Sequence, residues 1–414
     1  MRSNDLLLLS TSTGLLYLLR KGYYRDIPIL FGSVSPGPTF ERFVELVSGQ
    51  ILYAPSSRVC QHAVSDNEVH KVLRASAVDG LRPVVSVKGL SLGQKKELAY
   101  SGNLVDPTWM FICVSGRCNS KCVFCYTEWI RNEPGLSTAA IRTALERAIS
   151  ISSLKGVAFS GGEPTLREDL PELIGHARTH GFMDIGVHSN GHRLANRKYL
   201  KELRDAGLTG ILLSLHGATR ATHDHMAGMK GSFVKAIRAL ALLHESMVRT
   251  TVNFVVCTAN CPEVPEVVTL VKSISPNARI RFSFPIIEGE AYRNSASILP
   301  TFPSFVDSIA LALAQNPQLK EYIEIANVPA CVSSQLQADP KYLVSQRRSF
   351  MEVSPFYEND VERGEQLIKL QKCRACSWVD DCGGIQIPYL TRFADAPDHV
   401  VPHDPRMSSE HIKK

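Results

Sequence analysis

From about residue 108 the chain alternates between two hydrophobic periods. Short, mostly apolar runs, "TWMFICVSG" (108–116), "GVAFSGG" (156–162), "MDIGVHSNG" (183–191), "GILLSLHG" (210–217), "RTTVNFVVC" (249–257) and "ARIRFSFPI" (278–286), have the length and β-branched content of strands. Between them, apolar positions three and four apart predict helices over 137–152, 167–181, 196–206, 231–247 and 262–274, the first opened by a Ser cap. Six strands with intervening helices require parallel pairing and right-handed crossovers. The strands read as apolar on both faces, as buried parallel strands should. The pattern is compatible with a six-strand open barrel and with a doubly wound sheet. Both place chemistry at the C-terminal ends of the strands.

The flanks differ. Region 1–105 reads as a small α+β region, with a hairpin over 6–19 and helices over 39–48 and 65–80. "LLLLS" and "LLYLL" near the start look like a signal-peptide core, but "TSTG" interrupts them and Asp5 stands where positive charge should dominate. No window approaches the length of a membrane span. Region 106–299 holds the βα repeat, 300–395 reads as a separate cysteine-rich domain and 396–414 as a loose tail.

Of the chain's 414 residues, 44% are hydrophobic and 21% charged, an ordinary balance for a globular protein, and the length suits two or three domains. A net charge of +6 does not argue for nucleic acid, and the basic stretches at 20–25 and 94–98 are short. The eleven cysteines change the picture more. Seven fall in clusters, and in the reducing cytoplasm, where this reading places the chain, clustered cysteines bind metal.

"SGRCNSKCVFCYTEW" (115–129) carries Cys118, Cys122 and Cys125 just past the first barrel strand. Three thiolates on one loop hold zinc if a fourth ligand closes the site, or three irons of a [4Fe–4S] cluster with one iron left open. No suitable fourth ligand follows closely. The spacing, with Phe124 before the last cysteine and "GGEP" after the second strand, resembles the signature of radical S-adenosylmethionine (radical SAM) enzymes over about residues 108–290.

That resemblance implies a partial (β/α)6 TIM-like barrel, and it implies roles. Cys118, Cys122 and Cys125 would hold the cluster that binds SAM. Gly161, Gly162 and Glu163 match the motif that holds the methionine amino group. Ser189, Asn190 and Ser214 match contacts to the SAM ribose or carboxylate, with Arg167 as a further carboxylate partner. Relatives often have Asp where this chain has His216, which leaves an acid–base role there open beside simple packing. Reductive cleavage of SAM would give a 5′-deoxyadenosyl radical that abstracts hydrogen from a substrate, with electrons from a flavodoxin or ferredoxin.

"KCRACSWVDDCGG" adds Cys373, Cys376 and Cys382, with Cys331 as an upstream fourth ligand. This resembles the auxiliary-cluster segment of SPASM or twitch domains, and four thiolates also suit zinc. An auxiliary cluster suits an oxidative reaction. The substrate expected is a ribosomally made peptide, the alternative a small molecule such as a sugar, aminocyclitol or nucleotide. Glu288, Glu290, Tyr292 and Arg293, after the sixth strand, are candidates for substrate contact. His223 and Asp224, in a loop common to SPASM-type enzymes, are read as fixing that loop. A zinc scaffold without activity and an RNA-modifying enzyme are the rival classes.

Overall fold

The computed structural model describes residues 109–149, 154, 156–336, 367–378 and 382–402, and the backbone of 350–353 and of six strands between residues 6 and 84. The chain divides into two compact units, Met1–Asn103 and Leu104–Lys414.

In the first unit, β1 (Leu6–Ser10), β2 (Leu16–Tyr24), β3 (Ile27–Ser33), β4 (Ile51–Tyr53), β5 (Val59–Ala63) and β6 (Arg82–Val84) form an antiparallel sheet ordered β4-β5-β3-β2-β1-β6. The expected hairpin is the β1–β2 pair, with Leu6 opposite Arg20. The helices expected over 39–48 and 65–80 lie outside the described residues, as does the expected tail beyond residue 402.

The second unit is built on a parallel sheet. Its strands are β7 (Trp109–Ser115), β8 (Gly156–Gly161), β9 (Asp184–Ser189), β10 (Gly210–Ser214), β11 (Arg249–Val255), β12 (Arg279–Ser283), β13 (Ile323–Ala326) and β14 (Phe350–Val353). They run in the order β13-β12-β11-β10-β9-β8-β7-β14, with no pairing between the two ends, so the barrel is open. Six of the eight are the strands expected from the sequence. β13 and β14 are additions, four residues each, from the stretch expected to form a separate domain. Runs that short carry no readable period.

Helices cover the outer face: α1 (Thr138–Ala148), α2 (Leu170–Thr179), α3 (Arg197–Ala206), α4 (Arg220–Met226), α5 (Ser232–Glu245) and α6 (Val264–Ile274). Ser137 caps α1 by accepting from Ala140 N at 3.1 Å, and Asn196 caps α3 by accepting from Lys198 N and Tyr199 N. Ile141 and Leu145 of α1, Leu173 and Ile174 of α2, and Leu240 and Leu243 of α5 are fully buried in one core with the outward residues of the strands. Each such side chain stabilises the fold by about 1.5–3 kcal/mol.

One expectation is corrected here. The strands are not apolar on both faces: along β9 and β11 burial alternates residue by residue. Val187, Val252 and Phe254 enter the core, whereas His188, Asn253 and Arg281 line a cavity inside the barrel. An open barrel has a lumen, and a lumen admits polar groups that a closed interface would exclude.

After β12 come α7 (Gly289–Arg293), α8 (Ser295–Ile298), α9 (Phe302–Gln315) and α10 (Ala330–Ser333). Near the end, β15 (Leu367–Ile368) pairs with β16 (Ile385–Gln386), and α11 (Ile387–Arg392) follows. No helix among the described residues is long and apolar enough to cross a membrane.

Candidate active site

The three-cysteine loop leaves β7 at the C-terminal end of the sheet and is strapped from three sides. Behind it, the turn after β8 donates Gly162 N to Ser115 O (2.6 Å) and Glu163 N to Arg117 O (2.8 Å). On a second side the C-terminal end of α4 accepts Lys121 N at Ala227 O (3.0 Å) and Val123 N at Met226 O (3.1 Å). From the third, Glu290 N donates to Cys125 O (2.8 Å) and Asn294 Nδ2 to Val123 O (2.9 Å). Two glycines permit this approach. A Cβ on Gly162 would lie 2.3 Å from Arg117 O, and one on Gly228, whose φ is +59°, would lie 2.0 Å from Lys121 O.

Cys118, Cys122 and Cys125 face one cavity of about 370 Å³, together with Gly161, Gly162, Glu163, Ser189, Asn190 and Ser214. Burial pushes the Cys118 thiol up to about 11, and burial with the neighbouring Cys125 and Cys118 thiols pushes Cys122 up further. Both shifts favour the protonated thiol, and three soft sulfur donors around one cavity fit a bound metal cluster.

Glu163 is the hub of this end of the barrel. Its side chain is 1% exposed. Oε1 accepts from Thr165 N (3.2 Å), Thr165 Oγ1 (2.6 Å) and Ser189 Oγ (2.8 Å), and Oε2 from Asn190 N (2.7 Å). Oε2 therefore retains the capacity for another donor, as an ammonium ligand requires. Burial raises the carboxyl's pKa, and the hydrogen bonds oppose that shift. Asn190 reaches the cysteine loop, donating from Nδ2 to Asn119 Oδ1 (2.7 Å) and Ser120 Oγ (3.2 Å).

Arg167 is a correction. Its guanidinium donates to Val114 O (2.9 Å), Leu136 O (2.7 Å), both oxygens of Asp169 and Thr138 Oγ1, and the residue does not line the cavity. With all its donors engaged it braces the base of the loop, a role in place of the expected carboxylate contact.

His216 lines the cavity wall but is not built for acid–base work. It is 2% exposed, its Nδ1 accepts from Val255 N (3.2 Å), and burial holds its pKa well below 6.5. Phe124 packs edge-on against it at 4.6 Å, so His216 is the floor beneath the loop aromatic. Behind it, His223 Nδ1 accepts from His216 N (3.0 Å), and Ser232 Oγ bridges His223 Nε2 (3.1 Å) and His192 Nε2 (2.7 Å). Asp224 accepts from Gly231 N (2.6 Å) and Phe233 N (2.8 Å), which fixes the α4–α5 connection.

Glu288, Glu290 and Tyr292 lie outside the cavity lining. Glu290 and Glu128 pair with Arg293, and Tyr292 is 53% exposed. This loop clamps the cysteine loop. The cavity instead presents Arg131, His188, Asn253, Arg281 and Asn327, none picked out in advance. The signal existed for three of them: polar residues at every second position of strands otherwise read as apolar. Arg281 is held by Glu324 Oε2 at 2.9 and 2.7 Å.

Cys331, Cys373, Cys376 and Cys382 line a second, small cavity with Gly384 and Ile385. Burial, then the charges of the other three, raises the Cys331 thiol to about 12. Ala330 N lies 3.4 Å from Cys382 Sγ, in the geometry of an N–H donating to sulfur. Four converging thiols fit a four-thiolate metal group. Next to this cavity, Gln386 mimics a strand edge, accepting from Ile287 N (2.7 Å) and donating to Pro285 O (2.9 Å). Ile286 between them lines the barrel cavity.

The profile of the Radical SAM superfamily matches residues 112–263. The Fe-coproporphyrin III synthase of Methanosarcina barkeri is 37% identical over 158 residues, 38% of this chain and 39% of that one. The PqqA peptide cyclase of Rhodopseudomonas palustris is 29% identical over 268 residues, 62% and 68% of the two chains. The match thus spans only about two fifths of the first relative. Among solved structures, Streptococcus suis SuiB bound to precursor peptide SuiA superposes with a TM-score of 0.54 at 14% identity, over 88% of this chain and 93% of that one. Native anSMEcpe with bound AdoMet and Cp18Cys peptide gives 0.51 at 16%, over 71% and 96%. At such identities the likeness speaks to the fold. Residues 112–263 thus form a radical SAM domain, carrying its three-cysteine loop and GGE turn on an open parallel barrel, and the C-terminal cysteine set fits an auxiliary-cluster domain.

Proposed function

We propose that this chain is a cytoplasmic radical SAM enzyme that oxidatively modifies a ribosomally made peptide. The observation that carries the proposal is the convergence of Cys118, Cys122 and Cys125 on a cavity whose wall is tied to a second, four-thiol site. The peptide substrate is supported by the PqqA peptide cyclase relative. Cys118, Cys122 and Cys125 hold a [4Fe–4S] cluster, and Cys331, Cys373, Cys376 and Cys382 an auxiliary one. When bound, the first cluster with SAM supplies a 5′-deoxyadenosyl radical for hydrogen abstraction.

The chain's own part is positioning and exclusion. Glu163 orients Ser189 and Asn190 and offers Oε2 to the methionine ammonium, while Ser214 faces the ligand from β10. Phe124, on His216, covers the loop and keeps solvent from the reacting atoms. Arg131 is a cation on the cavity wall that can receive a carboxylate, while Arg281 beside it is already paired with Glu324. Electrons come from a flavodoxin- or ferredoxin-type donor.

The test is 5′-deoxyadenosine formation by anaerobically reconstituted protein with SAM and a strong reductant. The wild type should form it, a Cys118/Cys122/Cys125 triple Ala variant should fall to background, and the triple variant should lose about half of the iron. Product formation by the triple variant at the wild-type rate would end this reading.

A further inference from the structure

Helices α1 and α2 lie side by side on the outside of the barrel. Each begins at the end of the sheet that carries the thiols, so their last turns lie at the opposite end. Three side chains meet there. Glu146 comes from α1, and His176 and His180, four residues apart and so on one face, from the last turn and C-cap of α2. One ligand atom from each lies within 4.8 Å of the other two.

The details suit a cation. His176 Nε2 is buried and makes no hydrogen bond, and it lies 3.2 Å from Glu146 Oε1. His180 Nδ1 sits 2.8 Å from His176 O, a carbonyl that can only accept. That contact places the proton on Nδ1 and leaves the Nε2 lone pair free, as an outer carbonyl does for a metal-bound imidazole. The two rings lie 4.1 Å apart, tilted by 37°. The C-terminal end of a helix carries partial negative charge, which favours a cation. The Glu146 side chain is 50% exposed, so solvent can complete the coordination.

We propose that Glu146, His176 and His180 form a binding site for a divalent transition-metal ion of the zinc class, which ties the last turns of α1 and α2 together. Two imidazoles and one carboxylate suit zinc, copper or nickel, whereas magnesium and calcium prefer an all-oxygen set. This site is separate from both cysteine sets and does not depend on the proposed reaction.

The experiment uses the full chain with its cysteine sites filled by anaerobic iron–sulfur reconstitution, titrated with Zn²⁺ alone against a chromophoric chelator. Wild type should take up one equivalent more than a His176→Ala/His180→Ala variant. Glu146→Gln, which keeps the surface shape, should weaken that equivalent by about tenfold or more. Zinc should raise the melting temperature of the wild type but not of the double variant, because the ligand binds only the folded helix pair. Both variants should keep their iron and their 5′-deoxyadenosine formation. Equal zinc uptake at equal affinity by wild type and double variant would overturn the proposal.

Discussion

At the scale of single residues, the buried carboxylate of Glu163 and the buried imidazole of His223 make the clearest demands. Glu163→Gln puts an amide NH₂ where four donors converge, leaving at least one buried N–H or O–H facing another donor. A loss of about 1–3 kcal/mol is expected, read as a lower melting temperature, together with weaker SAM binding by calorimetry. For His223, burial lowers the pKa from 6.5 to about 4. Below pH 6.5 the unfolded chain takes up a proton that the folded imidazole refuses until about pH 4. The folded state therefore binds fewer protons, and its stability is lost as pH falls through that window. Denaturant unfolding followed from pH 7 to 4 should show the decline, and His223→Gln should flatten part of it, leaving the shares of His192 and His216. If the slope were unchanged in His223→Gln, the buried neutral imidazole would not be its source. The GGE motif and the three cysteines were legible in the sequence because their spacing is local. Arg167 was not, because the carbonyls that saturate it belong to Val114 and Leu136, 53 and 31 residues away.

At the scale of elements, the cysteine loop is a passenger on three straps, and the straps differ in what they tolerate. Gly228 and Gly231 both have positive φ in the same connection, but a Cβ on Gly228 would meet Lys121 O at 2.0 Å whereas one on Gly231 meets nothing within 4 Å. Gly231→Ala should therefore cost only the conformational penalty of about 1–2 kcal/mol and keep its iron. Gly228→Ala should push Lys121 away and lose cluster iron, measured as iron per chain after reconstitution. Equal iron in the two variants would remove this strap from the site's support. Helix positions were readable to within a few residues because α1, α2, α3, α5 and α6 each bury one stripe. The inward faces of β9, β11 and β12 were misread, since a run such as "RTTVNFVVC" looks uniformly buried unless a lumen is allowed for. β13 and β14 escaped notice because a four-residue edge strand has no period and is defined by the neighbour it pairs with.

At the scale of the whole Leu104–Lys414 unit, the same stretch of chain both completes the barrel sheet and supplies the four-thiol site, so the two halves of the proposed chemistry share one compact unit. A Cys373→Ala/Cys376→Ala variant should keep 5′-deoxyadenosine formation while losing its share of the iron, which separates SAM cleavage from whatever the second site does. Loss of both together would mean that the second site also supports the first. The Gln386 amide gives that possibility a route, because it holds Pro285 and Ile287 on either side of a cavity residue while its neighbours Gly384 and Ile385 line the four-thiol site. Two ligand sites joined through one strut are subject to thermodynamic reciprocity. Whatever factor a filled thiol site adds to the affinity of a ligand pressed against Ile286, that ligand must return to the thiol site as tighter metal retention. The cavity's occupant would thus act as a guardian of the distant metal.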